Sequence, residues 1–87
     1  MNTITLNNHT HEVVAADVER HDDVYMIGLQ LNGMRVFRIP QEGQLYLPTL
    51  RDERFAVWIT GWRHARTNEG HMMTYLTATT QPVPDMI

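Results

Sequence analysis

The sequence predicts a small all-β or β-rich α+β domain, an antiparallel barrel or sandwich of roughly five to seven short strands with an N-terminal meander and room for one short helix. Three observations carry that prediction. Ten threonines, with the valines and isoleucines, favour a pleated backbone. Asn32-Gly33 stands between two apolar runs, a strong mark of a two-residue type I′ hairpin, and Asn7-Asn8 suggests a further hairpin. An apolar fraction of 43% with 20% charged residues is that of a globular chain, so the strands have a core to face. Residues 1–80 read as a single domain and 81–87, with Pro82 and Pro84, as an extended tail. No repeat and no low-complexity linker interrupts it.

In chain order, Asn7-Asn8 closes a hairpin on a first strand over residues 2–6. A two-residue loop there puts Ile4 and Leu6 on one face with His9 and His11, which demands either a covered face or a bulge that shifts the register. The turn at Arg20–Asp23, centred on His21-Asp22, pairs Val18 with Tyr25, Ala16 with Ile27 and Val14 with Leu29. The Asn32-Gly33 turn then pairs Leu31 with Met34, Leu29 with Val36 and Ile27 with Arg38, giving one continuous apolar face across three strands. Asp17, Glu19, Val24, Met26, Phe37 and Ile39 fall on the opposite face. Pro40 to Pro48 reads as a loop holding the apolar piece Leu45-Tyr46-Leu47. Over 49–66 two periods compete: Phe55, Ile59 and Trp62 at helical spacing, against a strict alternation of Phe55, Val57 and Ile59 with Trp58, Thr60 and Trp62. The β-branched residues and Gly61 favour a short helical turn at 49–53 and then a strand over 54–62. Thr67–Gly70 is a turn, and a last strand runs from Met72 to Thr79.

Composition excludes several chemistries. There are no cysteines, so no disulfide or thiolate metal site. Serine and lysine are absent too, which removes the commonest covalent nucleophiles and the phosphate-loop lysine, and all seven basic residues are arginine. No stretch has the ~20 apolar residues of a membrane helix, and the polar start is unlike a signal peptide, so a cytoplasmic location is expected. The net charge of −3 is uneven: residues 1–23 hold five acids against Arg20, and residues 51–66 hold four arginines against Asp52 and Glu53. A net acidic chain argues against general nucleic-acid binding, while the basic segment keeps it open.

In the strand over 54–62, Trp58 and Trp62 share the face away from the aliphatic residues. With Arg63 and Arg66 just beyond and Tyr75 on the neighbouring strand, they form the candidate partner-binding surface, since aromatic residues and arginine dominate interface hot spots. The competing reading is that both tryptophans are core. Val57, Ile59, Gly61 and Trp62, followed by Arg66, Gly70 and Leu76, also resemble the first hairpin of OB-fold domains such as those of aminoacyl-tRNA synthetases. There, a strand ending in Gly-Trp turns through a basic, glycine-containing loop into a second apolar strand. The resemblance spans about a quarter of the chain and implies a permuted barrel, because an OB-fold places three more strands after this hairpin.

His9 and His11 can present two nitrogens from one strand face, but exposed histidines beside asparagine turns are common and no third ligand is placed near them. Asp17 and Glu19 form a same-face carboxylate pair ~6.5–7 Å apart along the strand, which is more simply a solvated strand that blunts edge pairing. The expectation is a non-enzymatic protein-binding module without catalytic residues, metal or cofactor, such as a stoichiometric inhibitor or adaptor of phage or mobile-element type. Single-stranded nucleic-acid binding and a structural role in a homo-oligomer are the alternatives.

Overall fold

Asn7 and Asn8 both adopt positive φ, 51° and 67°, the backbone of a type I′ turn, and so fix the first hairpin where the dipeptide predicts it. From there a computed structural model describes residues 1–33 and 38–81. Its strands are β1 (Thr3–Leu6), β2 (His9–His21), β3 (Val24–Asn32), β4 (Glu42–Tyr46), β5 (Phe55–Arg66) and β6 (Met72–Thr79), with no helix among the described residues. All neighbours pair antiparallel in a closed barrel of order β1-β2-β3-β6-β5-β4. The fold is thus an all-β barrel opened by an N-terminal meander, β1-β2-β3. The predicted tail beyond Gln81 lies outside the described residues.

The conflict between the first two hairpins is resolved by a bulge. Leu6 pairs with His9 and Ile4 with His11, as a two-residue loop requires, and both aliphatic residues are fully buried. The register of β2 then shifts between Val13 and Ala15. Val13 closes the core opposite Leu31, Val14 is left 47% exposed, and beyond it Ala16 and Val18 share the inner face with Leu29 and Ile27. One extra residue moves the inward set from odd to even positions.

Two expectations are corrected. The β2–β3 turn is centred on Asp22-Asp23, because His21 pairs with Val24, so Val18 faces Ile27 and Arg20 faces Tyr25. Asp22 takes the left-handed conformation (φ 56°) that Asp tolerates, and its carbonyl accepts a 2.9 Å hydrogen bond from Arg20 Nε. The slip of two residues leaves every side chain on its predicted face, except at the bulge. The second correction concerns Asn32-Gly33. β3 is already paired on both edges, with β2 and with β6, so no strand can fold back onto it. Gly33 instead extends the β3–β6 ladder, its N–H donating to Met72 O at 2.9 Å. Of the residues expected opposite β3, Met34–Phe37 lie outside the described residues, while Arg38 and Ile39 belong to no strand and Ile39 packs against the core.

In the stretch 49–66 the strand forms as read, whereas no helix does, and the hydrogen-bonded turn lies at Leu47–Arg51 and not at 49–53. Leu50 and Arg51 N–H both donate to Leu47 O at 2.9 Å, and β5 follows, longer than the predicted strand. β5 carries a second bulge, between Ile59 and Gly61. The hairpin that resembles an OB-fold is real, but it closes a six-stranded barrel, not the five-stranded one of that family.

The two halves of the chain repeat each other in register, although not in sequence. Equate Val13 with Ile59: the bulged residues Val14 and Thr60 then coincide, and Leu6 falls on Leu45 and Leu29 on Leu76. The pairs Thr5–Gln44 and Leu29–Leu76 each map onto themselves, as a two-fold axis through them demands. The same operation carries the bond Val13 N–H to Asn2 O (2.9 Å) onto Ile59 N–H to Gln41 O (2.7 Å). The barrel is therefore two meanders, β1-β2-β3 and β4-β5-β6, related by a pseudo-two-fold axis.

Glycines on opposite sides of the wall make different demands. A Cβ at Gly43 would lie 2.7 Å from the buried Leu6 Cδ2 and 3.2 Å from Thr5 O, whereas one at Gly28 would meet nothing nearer than 3.9 Å. Gly43→Ala is expected to cost about 1–3 kcal/mol in urea unfolding, by overpacking. Gly28→Ala should be neutral or stabilise by up to about 1 kcal/mol, because a strand glycine is entropically costly. Equal effects of the two substitutions would contradict this assignment of inner and outer faces.

Candidate binding surface

Trp58, Trp62, Arg63, Arg66 and Tyr75 all lie on β5 and β6, but the bulge at Thr60 divides them. Before it, Phe55, Val57 and Ile59 point inward and the half-buried Trp58 outward, opposite Thr79 and Glu42. After it the order inverts: Trp62 shares the face of Leu76, His64 that of Thr74, and Arg66 that of Met72. The expected common face of Trp58, Thr60 and Trp62 is thus not formed. Alternation was broken by the inserted residue, which Thr60 Oγ1 holds through donation to Thr77 O at 3.2 Å. Gly61 tolerates the kink because a Cβ there would stand 2.8 Å from Thr77 Oγ1.

Two clusters result. On the outer surface the Arg63 guanidinium lies over the Tyr75 ring, 4.4 Å from its centroid. These two residues, with Asp17 and Gln30, wall a shallow depression floored by Gly28. On the other face Trp62, 54% exposed, tilts against His64 with ring centroids 5.2 Å apart, and Arg66 Nε donates to Met72 Sδ at 3.3 Å.

A feature invisible in the sequence joins the clusters. β5 pairs with β4 only through Phe55–Trp58, so its second half, Thr60–Arg66, has β6 on one side and no strand on the other among the described residues. The pseudo-two-fold creates the same situation on β2, where Val14–His21 pairs with β3 alone. Both are open edges, and their charges differ. β5 contains no acid and carries Arg63, His64 and Arg66; the β2 edge carries Asp17 and Glu19 on its outer face and Arg20 on the other. Among the described residues, the ion pair on the β2 edge is a 3.5 Å contact of Glu19 with exposed His21.

Sequence reasoning also missed a small polar relay. Thr74, 1% exposed, donates through Oγ1 to Gly33 O at 2.7 Å and lies 2.9 Å from His64 Nδ1. The threonine proton is spent on the carbonyl, so His64 must donate from Nδ1. His9 and His11 do share one strand face with Leu6 and Ile4 opposite them, but no three His, Asp or Glu among the described residues group to hold a metal ion. Compared with protein-family models, curated proteins and solved structures, the chain matches none.

Thr74→Val keeps the shape of the side chain and removes the relay. It should cost about 1–3 kcal/mol, since it strands the part-buried Gly33 carbonyl and an imidazole N–H. Long-range ¹H–¹⁵N spectra should show His64 as the Nδ1–H tautomer in the parent protein and not in the variant. An Nε2–H tautomer in the parent would remove the relay.

Proposed function

We propose that this protein is a non-enzymatic, cofactor-free binding module that takes an extended segment of a partner protein along the open edge of β5. One observation carries the reading: half of a strand with an unpaired edge, flanked by a half-exposed tryptophan and three cationic or titratable side chains, with no acid on that strand. Main-chain hydrogen bonds to such an edge supply affinity, and alternate side chains supply selectivity. The matching segment would put an apolar residue against Trp62 and a carboxylate against Arg63 on the opposite face. Trp58 and Tyr75 then border the contact from the outer surface. A cytoplasmic stoichiometric inhibitor or adaptor, of the kind that phage and mobile elements carry, is the role such a module fills.

Single-stranded nucleic acid is the second reading, favoured by the Trp62–His64 stack and by the cation over Tyr75, which together offer π-faces and phosphate contacts. Asp17, lining the same outer depression as Arg63, counts against it.

Trp62→Ala and Arg66→Ala should each weaken partner binding about tenfold or more while circular dichroism is unchanged, with Trp58→Ala weaker in effect. The partner is identified by tagged capture with and without nuclease, then titrated by calorimetry. Loss of the captured partner on nuclease treatment, with affinity falling steeply in salt, would move the assignment to nucleic acid. Full binding by both variants would remove this edge from the function.

A further inference from the structure

We infer that the open β5 edge is filled by the open β2 edge of a second copy of this chain, so that copies join head to tail through a continuous sheet. This rests on the reading above that the β5 edge accepts a strand, and it names the strand. Three observations lead to it.

The first is charge. On the outer face the β2 edge presents Asp17 and Glu19 and the β5 edge presents Arg63; on the other face stand Arg20 of β2 and His64 and Arg66 of β5. On the outer face, pairing β2 with β2 or β5 with β5 sets like charges across a strand pair, whereas β2 with β5 sets opposite ones. The second is exposed apolar surface. Val14, Val18 and Trp62 are 47%, 41% and 54% exposed, and all three belong to the two open edges. The third is backbone phase. Asp17 and Arg63 occupy equivalent positions under the pseudo-two-fold, each two residues past its bulge partner Ala15 or Gly61, so they direct the same backbone groups at their open edges. An antiparallel register with Asp17 opposite Arg63 of the next copy therefore matches donors to acceptors. The same register sets Val18 against Trp62 of the next copy on the other face. Every element of the match lies in residues that the barrel itself leaves uncovered.

Because the joined edges are different surfaces of one molecule, each copy still offers one free edge of each kind. The contact is heterologous and yields a ring if the rotation closes, or a filament if it does not.

Sedimentation velocity over a concentration series tests this. The parent protein should form species larger than a dimer at low ionic strength and dissociate in high salt. Asp17→Arg and Arg63→Asp should each weaken association at least about tenfold. The double variant should regain it, and a mixture of the two single variants should co-assemble. A protein that stays monomeric at millimolar concentration, that stops at a dimer, or whose assembly ignores both single substitutions overturns the inference. A labelled short peptide of alternating valine and aspartate separates the two layers. If it binds the monomeric parent and not Arg63→Asp, the open edge accepts strands but not its own β2. If the parent is monomeric and the peptide does not bind either, both the self-assembly and the edge-binding reading fall.

Discussion

A β-strand has a fixed alternation, and the geometry of this barrel turns on where that alternation is broken. β2 and β5 are the two long strands, and each must serve two neighbours in succession: β1 then β3, β4 then β6. Without an inserted residue, the strand that buries Val13 or Ile59 could not also set Ala16 against Leu29 or Trp62 against Leu76. Val14 and Thr60 are those inserted residues. They let Ile4, Leu6 and Leu45 line the same interior as Ile27, Leu29, Leu31 and Leu76. They also bend each long strand so that the short β1 and β4 can pair and close the barrel.

Closure is incomplete for the same reason. β1 and β4 are too short to follow β2 and β5 to their ends, so the long strands run on as the two edges of the four-stranded sheet β2-β3-β6-β5. A barrel normally removes edges altogether; here, among the described residues, two remain, related by the internal two-fold. The two edges carry different side chains. Ala16, Asp17 and Val18 on one correspond to Trp62, Arg63 and His64 on the other. Arg20 and Arg66 coincide, but the rest of the symmetric scaffold presents a mainly acidic, aliphatic edge and a basic, aromatic one, and the difference between them is a difference of side chains only.

Much of the first meander was legible because its signals are local. Asn7-Asn8 marks a turn with a backbone requirement few residues meet, and the alternation of Ile27, Leu29 and Leu31 marks the core face of β3 without reference to its partners. The strand after the turn at Leu47–Arg51 was readable from the same kind of signal. What could not be read was which strand lies beside which. Asn32-Gly33 is a strong hairpin dipeptide, yet the edge it would have needed is taken by β6, some forty residues on, where Thr74, Leu76 and Ala78 supply a better inner face. Bulges were equally hidden, since Val14 and Thr60 are ordinary strand residues. The bulge in β2 could be inferred only as a conflict between two hairpins. The one in β5 gave no sign, and it alone separates Trp58 from Trp62. The internal two-fold leaves no trace in the sequence because it preserves register and burial, not residue type.

The open edges also set where the molecule yields. Almost every residue of β2 beyond Val13 is exposed, and its backbone is held by ladder bonds on one side only. Ordering each residue costs roughly 1–2 kcal/mol of backbone entropy, which in the barrel proper is offset by burial and here is offset mainly by pairing. Such segments open at a lower free energy than the core, and anything that completes their second ladder stabilises them. β5 is better supported, because Thr60 is tied to Thr77 and His64 to Thr74, so the basic edge is the more rigid template and the acidic edge the more adaptable strand. That asymmetry suits a contact in which a preformed edge receives a strand that gains most of its order on binding. The relay through Thr74 to Gly33 therefore matters beyond its own few hydrogen bonds. It braces the half of β5 that no other strand supports.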